Sequence, residues 1–273
     1  MLFRSEPARC SLRLGQAVAA LKPVPGGVEV DAGIAERADL AVVAEGGVFA
    51  DQARKALTHD YRQNAWVGTV TLAGAAAPGT AFEHFTREGP VALLPLPPLA
   101  AQAPGTRRAA LVWCVGAEDD PVAALDEAQR LTVLRHRLPA AAGELLALSP
   151  LKCFALGLNA ERTLVDGRCV RIGNAAQTLH PVAGQGLNLG LRDAYVLVDA
   201  LHRASDPDQA LRRVEWARAP DRWATIASTD FLARSFTWQA PGLATLRGLG
   251  LAALQALPPL KSALARQMMF GRR

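Results

Sequence analysis

The chain has 273 residues, 50% of them hydrophobic, which is enough to fill one large domain or two modest ones and excludes a disordered protein. Its net charge of +5 comes from scattered arginines rather than a basic stripe with stacking aromatics, which argues against nucleic acid as a partner. No window reaches the roughly 18 uncharged apolar residues of a membrane span, so we expect a cytoplasmic protein, at most peripheral to the inner membrane. The four cysteines lie far apart, and no metal site is predicted.

The first predicted elements are a hairpin and a buried strand. Apolar residues between positions 12 and 30 flank the turn Pro25-Gly26-Gly27, which predicts two paired strands. A continuous apolar run over residues 38–44 is typical of a parallel strand buried on both faces. Glu45-Gly46 follows this run, and on these residues alone an ordinary turn explains the pair.

Residues 64–115 contain several short β-prone runs interrupted by Gly and Pro, which predict an antiparallel or mixed sheet. His84 lies in one of these runs, flanked by Phe82 and Phe85. It has two interpretations, a catalytic base or a structural residue, and the flanking aromatic residues favour the structural one.

Residues 119–167 are predicted to contain two helices, a strand and a turn. Asp119-Asp120-Pro121 supplies an acidic N-cap with proline in the first turn, and apolar residues follow at helical spacing. Glu144-Leu145-Leu146 is interpreted as a second, short helix. Alternation over residues 152–163 predicts a strand, and Asp166-Gly167 predicts a hairpin turn.

The densest motif runs over residues 169–193. It starts with an alternating strand pattern that ends at Gly173. Pro181 then interrupts regular structure, and Gly184 and Gly186 leave backbone N–H groups uncovered at the start of a helical pattern. A bare helix N-terminus attracts a negative or electron-rich group, so the motif predicts a ligand site. One face of this helix carries Leu187, Leu191, Ala194, Val198 and Leu201.

The remaining residues are predicted to be helical. Arg192 and Asp193 are expected to form a neighbouring ion pair that fixes the first of these helices. Asp206-Pro207 predicts the start of the next helix, which Pro220 is expected to break or kink.

The amphipathic tail, residues 241–273, carries leucines at helical spacing with basic residues among them, including Arg272 and Arg273. Two interpretations stay open for it. It docks on its own domain, which is the simpler one, or it binds a membrane surface or a partner.

Two segments of the motif resemble the second flavin-binding motif of the FAD-dependent aromatic hydroxylases. They are Gly173-Asn174-Ala175-Ala176-Gln177-Thr178-Leu179-His180-Pro181 and Gly184-Gln185-Gly186-Leu187-Asn188-Leu189-Gly190-Leu191-Arg192-Asp193. Within that family the chain is most similar to the ubiquinone-biosynthesis branch. Glu45-Gly46 then resembles the Asp-Gly signature of the same family, with glutamate in place of aspartate. Many relatives carry Gly-Asp where this chain has Gly173-Asn174.

The resemblance implies an α/β fold made of a partial FAD-binding domain of the aromatic-hydroxylase type, an inserted β-sheet substrate domain and a C-terminal helical segment. Residues 1–58 would be the remainder of the first FAD-binding half, and residues 59–117 the substrate-domain sheet. Residues 118–205 would hold the connecting helix, the return of the sheet and the second FAD-binding half. Residues 206–273 would form the helical region.

The resemblance also implies a function. FAD would be the cofactor, NAD(P)H the reductant and O2 the oxidant for hydroxylation of a prenylated phenol in ubiquinone biosynthesis, with subunits of a quinone-biosynthesis complex as further partners. His180 and Pro181 would be the catalytic residues. The implied cofactor-binding residues are Glu45, Gly46, Gly173, Asn174, Pro181, Gly184, Gln185, Gly186, Leu187 and Asn188.

One expected part of such an enzyme is absent, because a Gly-x-Gly-x-x-Gly fingerprint occurs nowhere in the 273 residues. In the family that fingerprint holds the ADP half of FAD, so we expect an N-terminally truncated chain or one that has lost tight flavin binding. Two alternatives to the ubiquinone hydroxylase stay open. They are a flavin monooxygenase acting on another small aromatic compound, and an inactive fragment or scaffold subunit of a quinone-synthesis complex.

Overall fold

The computed structural model describes residues 10–46, 55–74, 79–238 and 242–271. Its strands are β1 (Ala20–Val24), β2 (Gly27–Asp31), β3 (Ala35–Ala38), β4 (Ala41–Val43), β5 (Lys55–Ala73), β6 (Phe82–Phe85), β7 (Pro90–Pro95), β8 (Thr106–Gly116), β9 (Glu144–Leu148), β10 (Lys152–Glu161), β11 (Val165–Asp166), β12 (Cys169–Arg171) and β13 (Gln177–Thr178). Its α-helices are α1 (Glu127–Arg137), α2 (Gln185–Arg203), α3 (Pro207–Ser235), α4 (Leu243–Ala256) and α5 (Pro258–Phe270). The first predicted region includes residues 1–9 and 47–54, and the predicted tail includes Arg272 and Arg273; these lie outside the described residues.

The large sheet has the strand order β13-β10-β5-β8-β7-β6, with β9 also paired to β5. β5 runs antiparallel to β10 along its first part and to β9 along its last part. The predicted sheet over residues 64–115 is confirmed, and its strand pairs are antiparallel. Apolar side chains of this sheet form the main core with α1, including Leu72, Trp113 and Leu134. Burial of such large side chains is the main driving force for folding this region.

A smaller sheet contains the predicted parallel strand. β4 pairs in parallel with β12, so that Ala41 lies opposite Cys169 and Val43 opposite Arg171. Residues 41–43 of the apolar run therefore form the predicted parallel strand. The predicted burial on both faces is wrong, because Val42 is exposed while Ala41 is buried. β11 pairs with the other side of β12, as the Asp166-Gly167 turn predicts. Among the described residues β4 is an edge strand of this sheet.

The N-terminal hairpin is confirmed but is shorter than the apolar pattern predicts. β1 pairs with β2 across a turn at Gly26, whose φ of +71° suits glycine. Leu12 and Leu14 precede the first strand and are exposed, so their alternation does not mark a buried strand face.

The helix predicted to start at Asp119-Asp120-Pro121 begins later. Asp126 is the N-cap of α1, and it forms a capping box with Gln129. Asp120 instead accepts hydrogen bonds from the backbone N–H of Val122 and from the Trp66 side chain. Its carboxylate thus fixes a turn against the large sheet rather than a helix start.

The short helix predicted at Glu144-Leu145-Leu146 is wrong, because these residues form β9. Leu145 and Leu148 are buried against the main core, and the strand pairs with the far end of β5. The available partner strand overrides the helix preference of leucine.

Pro220 does not break the chain into two helices. α3 continues through it from Pro207 to Ser235, so the predicted break is wrong. Arg218 and Arg222, on either side of the proline, are both buried and make side-chain hydrogen bonds. These tertiary bonds offset the backbone bond that proline cannot donate.

α2 buries a different face from the one its leucines predict. Leu187 and Leu191 are 73% and 60% exposed, and Val198 is also exposed. The buried side chains of α2 instead include Leu189 and Leu197, and Leu197 belongs to a core cluster with Val170 of β12 and Val214 of α3. Within the described residues, no helix combines the length and the hydropathy that crossing a bilayer would require.

Candidate cofactor site

The site is built where β12 ends and α2 begins. Gly173, with φ of +60°, turns the chain out of the small sheet, and a single helical turn at Val182–Gly184 then precedes α2. Gly184 is the N-cap of α2 in the left-handed conformation and offers no side chain to the helix end. The first turn of α2 contains no acidic residue. No side chain caps this helix end, so the positive end of the helix dipole meets the turn through backbone groups.

A cavity of about 480 Å³ opens at this point. The end of β4, the turn at Gly173 and the start of α2 all contribute to its wall. Eight of the residues that the sequence predicts for the site line it: Glu45, Gly46, Gly173, Asn174, His180, Pro181, Gly186 and Leu187. The structure therefore brings together residues that lie more than a hundred positions apart in the chain, as the parallel pairing of β4 with β12 requires.

The other three predicted residues lie beside the cavity. Gly184 is exposed at the N-cap. Gln185 is buried, and its Oε1 atom is 3.5 Å from Nη2 of Arg192. Asn188 faces a neighbouring cavity that Arg192 also lines, and its backbone carbonyl accepts from Nε of that arginine at 3.2 Å.

Two glycines allow α2 to lie directly against the strand tip. A Cβ atom on Gly190 would be 3.1 Å from Cα of Gly173, which is closer than real Cβ atoms normally approach. A Cβ atom on Gly186 would lie 3.8 Å from Oδ1 of Asn174. The close contact of turn and helix leaves this wall of the cavity as backbone and a single amide side chain.

His180 is held by two hydrogen bonds. Its Nε2 atom is 3.0 Å from Oε1 of Gln63, and its Nδ1 atom accepts from the backbone N–H of Val182 at 3.1 Å. Because Nδ1 accepts, Nε2 carries the proton and donates to Gln63. The ring is 1% exposed, and burial lowers the pKa of His180 to about 4. A neutral imidazole with both nitrogen atoms engaged fixes the turn before Pro181.

The large sheet reaches the site through β5. Tyr61 packs edge-on against the ring of His180, with 4.9 Å between the ring centroids. The Tyr61 hydroxyl donates to Oδ1 of Asp230 at 3.1 Å, and burial raises the pKa of this tyrosine. Gln63 also donates from Nε2 to the backbone carbonyl of Glu88 at 2.8 Å. These contacts join the sheet to the cofactor-side turn.

His84 lies away from this cavity. It is exposed on β6, at the edge of the large sheet, and it is not among the lining residues. The position agrees with the structural interpretation of this histidine rather than with a base that acts in the cavity.

Asp193 ties the glycine turn to α3. Its Oδ2 atom accepts from the backbone N–H of Gly173 and from Nε2 of Gln177, each at 3.1 Å. Its Oδ1 atom accepts from Nε of Arg218 at 2.8 Å. The predicted pair of Arg192 with Asp193 is wrong, because neighbouring residues on a helix point in different directions and each meets a partner on α3.

Further buried charges complete this network. Asp221 accepts charged hydrogen bonds from Nη1 of Arg192 at 2.8 Å and from Nη1 of Arg218 at 2.6 Å. Arg222 donates from Nε to Oε1 of Gln177 at 2.6 Å. Sequence reasoning did not identify Arg218, Asp221 and Arg222. The signal was present, because they continue the 3–4 spacing of the buried apolar residues Ala210, Leu211 and Val214 on α3.

A parallel strand tip, a glycine turn and an uncapped helix start around one cavity are the arrangement with which α/β folds bind dinucleotide cofactors. The family model described as FAD binding domain matches residues 37–229. The chain belongs to this family.

The names of two similar curated proteins support the predicted ubiquinone-biosynthesis branch. Over 198 residues the chain is 35% identical to ubiquinone hydroxylase UbiL of Rhodospirillum rubrum, covering 70% of this chain and 44% of the relative. It is 31% identical over 193 residues to 3-demethoxyubiquinol 3-hydroxylase of Escherichia coli, a match that covers 66% of this chain and 46% of the relative. The predicted resemblance to the ubiquinone branch of the FAD-dependent aromatic hydroxylases is confirmed. The chain spans about half the length of the curated relatives it matches.

Solved structures support the fold. HpxO of Klebsiella pneumoniae, complexed with FAD and uric acid, superposes with a TM-score of 0.65 at 20% identity, covering 87% of this chain and 62% of HpxO. PqsL of Pseudomonas aeruginosa, described as a probable FAD-dependent monooxygenase, superposes with a TM-score of 0.62 at 23% identity. The match covers 81% of this chain and 63% of PqsL. The predicted α/β fold of the aromatic-hydroxylase type is confirmed.

Proposed function

We propose that this chain is the flavin-binding and substrate-facing part of a FAD-dependent monooxygenase. It hydroxylates a prenylated phenol in ubiquinone biosynthesis with NAD(P)H and O2. The observation that carries the proposal is the uncapped start of α2, which opens on a cavity lined by eight residues of the family motif. The names of the bacterial relatives support the reaction class. Subunits of a quinone-biosynthesis complex are its proposed protein partners.

The residues of the cavity fit the flavin end of FAD. The backbone wall at Gly173, Gly186 and Gly190 admits a flat ring system close to the helix start. The Asn174 amide both donates and accepts, and it would hold a ribityl hydroxyl where many relatives use aspartate. Glu45 and Gly46 lie at the opposite wall, after β4. When bound, FAD supplies the activation of O2 and the transfer of one oxygen atom to the phenol ring.

In this proposal the chain's own groups shape the pocket and stabilise charge on the flavin, and they do not themselves react. The positive end of α2, at Gly186, Leu187 and Asn188, stabilises negative charge at the pyrimidine edge of the ring. Pro181 walls the pocket in which oxygen reacts and keeps water out. His180 is the residue that orients Pro181, because its neutral ring is bonded on both sides.

We further propose that a strand–turn–helix unit bearing the glycine-rich fingerprint docks on this chain and supplies the ADP half of the cofactor site. Among the residues that the structure describes, one edge of β4 has no partner strand, and in this proposal it accepts a further parallel strand. Beside it, the exposed leucines of α2 form an apolar face that a second helix would cover.

The first test is flavin stoichiometry. The purified chain is incubated with excess FAD, separated from free cofactor and denatured, and the released flavin is measured against protein. The same measurement is made after co-expression with a polypeptide that carries the proposed strand–turn–helix unit with its Gly-x-Gly-x-x-Gly fingerprint. We expect little retained FAD with the chain alone and close to one FAD per chain in the complex.

A pair of matched variants tests whether FAD retention depends on the cavity at the start of α2. Asn174→Ala should weaken FAD retention of the complex about tenfold, the effect of losing one or two hydrogen bonds. Gln16→Ala removes an exposed amide at the other end of the chain and should change nothing. Failure of the complex to retain FAD at all would contradict the proposal and favour the scaffold alternative. Retained FAD with turnover of a water-soluble phenol, but not of a prenylated one, would favour another small aromatic substrate.

A further inference from the structure

The C-terminal hairpin, which we define as α4 and α5, exposes most of its apolar side chains. Leu246 and Leu249 of α4 are 64% and 63% exposed. On α5, Leu260, Leu264 and Met269 are also exposed. A water-soluble protein rarely leaves so many large apolar side chains of two adjacent helices uncovered, so the hairpin calls for a partner surface. The prediction that the tail docks on its own domain does not account for these side chains.

The charge of the hairpin indicates what that partner is. Residues 242–271 contain Arg247, Lys261 and Arg266, and they contain no Asp or Glu. The rest of the chain is nearly balanced in charge, with 27 basic and 25 acidic residues outside this segment. An apolar surface with only positive charge is complementary to the anionic headgroups and acyl chains of a membrane leaflet.

The length of the helices determines how they would lie. At 1.5 Å per residue, α4 with 14 residues and α5 with 13 residues are each about 20 Å long. That is shorter than the roughly 30 Å hydrocarbon core of a bilayer. The exposed leucines of α4 also point in several directions around the helix, which suits a fluid layer better than a single protein groove. Each helix would therefore lie in the interface and not across it.

The hairpin is fixed to the rest of the protein at both ends. Arg247 donates to the backbone carbonyl of Ser235 and lies over the ring of Phe236, which stacks on Phe85 of β6 at 3.9 Å. At the other end, Gly271 and the last residues of α5 line a cavity together with Arg192 of α2. A membrane that held the hairpin would consequently also orient the large sheet and the cofactor cavity.

We propose that the α4–α5 hairpin binds the surface of an anionic membrane. Its leucines enter the outer part of the acyl layer, and Lys261 and Arg266 meet the headgroups. The inference comes from exposure and charge, and it does not depend on the proposed hydroxylase activity.

Vesicle binding of the full chain tests the proposal. Sedimentation with vesicles of phosphatidylcholine alone is compared with vesicles that also contain phosphatidylglycerol. We expect binding to the anionic vesicles that falls as salt is added. The double variant Leu246→Glu, Leu249→Glu should bind at least tenfold more weakly to both vesicle types. The control Leu12→Glu, Leu14→Glu changes two exposed leucines outside the hairpin and should bind like the unchanged chain.

Charge is tested separately, with variants that keep the helices intact. Each basic residue near an anionic surface strengthens binding about fivefold at low salt. Lys261→Gln, Arg266→Gln should therefore weaken binding to anionic vesicles about 25-fold and leave binding to neutral vesicles unchanged. Arg87→Gln, Arg203→Gln removes the same charge elsewhere and should have a small effect. Circular dichroism verifies that each variant is folded.

Two results would overturn the proposal. One is vesicle binding that is equal for the Leu246→Glu, Leu249→Glu variant and its control. The other is absence of vesicle binding by a chain that sediments as a dimer and becomes monomeric with the same two substitutions, since the hairpin would then be a self-association surface.

Discussion

At the scale of single residues, His180 and Gly190 shape the cofactor cavity by different means. His180 uses both ring nitrogens to hold the turn before Pro181. Gly190 has no side chain, and for that reason α2 approaches Gly173 closely. Neither residue needs to touch the reacting atoms to determine the shape of the pocket.

Stability should fall in mild acid because His180 is buried in its neutral form. Its pKa of about 4 lies below the ordinary histidine value of 6.5, so between these values the unfolded chain binds a proton that the folded chain does not. The stabilising contribution of neutral His180 to the unfolding free energy is complete above pH 6.5 and is lost as the pH falls toward 4. Because of this group, we expect the unfolding free energy to be about 2 kcal/mol lower at pH 5 than at pH 7.

The measurement is urea unfolding at both pH values for the chain and for His180→Asn. The asparagine cannot be protonated, so the variant should lose less stability between pH 7 and pH 5. His84→Asn removes an exposed histidine and should leave the pH dependence as it is. An identical pH dependence for His180→Asn and the unchanged chain would contradict the assignment.

Gly190→Ala should separate α2 from the strand tip. The added Cβ atom would meet backbone of Gly173, which has no flexible end that can move aside. We expect a loss of about 1–3 kcal/mol in unfolding free energy, as for other overpacked sites, together with weaker flavin retention. The matched change Gly248→Ala lies in α4, where nothing is within 4 Å, and should stabilise slightly through helix propensity. Equal effects of the two substitutions in thermal unfolding would show that the close contact is unimportant.

At the scale of elements, the pairing of α2 with α3 is maintained by buried charges as well as by apolar packing. Asp193 and Asp221 balance Arg192 and Arg218 in the interior. Asp193 also holds Gly173, so the helix pair and the glycine turn form one unit. The cofactor-side turn is thus positioned by a network whose other half lies on α3.

Asp193→Asn should be strongly destabilising because Arg218 would lose one of its two carboxylate partners in a buried site. We expect a loss of about 3 kcal/mol. Asp199→Asn changes the same residue type on the exposed side of α2, where the partner is Arg203 one turn away. It should cost less than about 0.5 kcal/mol. Chemical denaturation distinguishes the two, and similar losses would mean that the buried network does not support α2.

Local patterns could predict several elements but not how far each extends. The hairpin turn at Gly26 and the long strand β10 follow from turn chemistry and alternation. β9 could not be predicted, because its leucines adopt a strand only where β5 provides a partner. Pro220 predicts a break from backbone chemistry alone, whereas buried bonds from Arg218 and Arg222 keep α3 continuous.

At the scale of the whole molecule, the proposed docking unit would meet two features: the edge of β4, which is unpaired among the described residues, and the exposed apolar face of α2. Eight of the eleven residues that the family resemblance implies for the site line one cavity, because the family motif contains most of that lining in two short segments. The exposed face of α2 could not be predicted in this way. Its leucine stripe has the pattern of a buried face, and only the positions of Leu189 and Leu197 in the fold show that the opposite side is covered.

Two leucines of α2 should respond differently to the same substitution. Leu197→Ser removes a buried side chain and should cost about 2–5 kcal/mol of unfolding free energy. Leu191→Ser changes an exposed one and should stay within about 0.5 kcal/mol. Co-purification with the fingerprint-bearing segment should be weakened by Leu191→Ser alone, at unchanged stability. Undiminished co-purification of this variant would argue against docking on this face.

The pairing of β4 with β12 has a consequence for how the chain folds. All of residues 55–161 lie between these two strands in the sequence, so the small sheet closes a very long loop. In the large sheet, the pairs β6–β7 and β7–β8 join strands that are close in the sequence, and such contacts form faster. We therefore expect these strand pairs to form first and the cofactor cavity to assemble late. During synthesis, the strand Ala41–Val43 leaves the ribosome long before its partner and must wait, unpaired, for Cys169–Arg171.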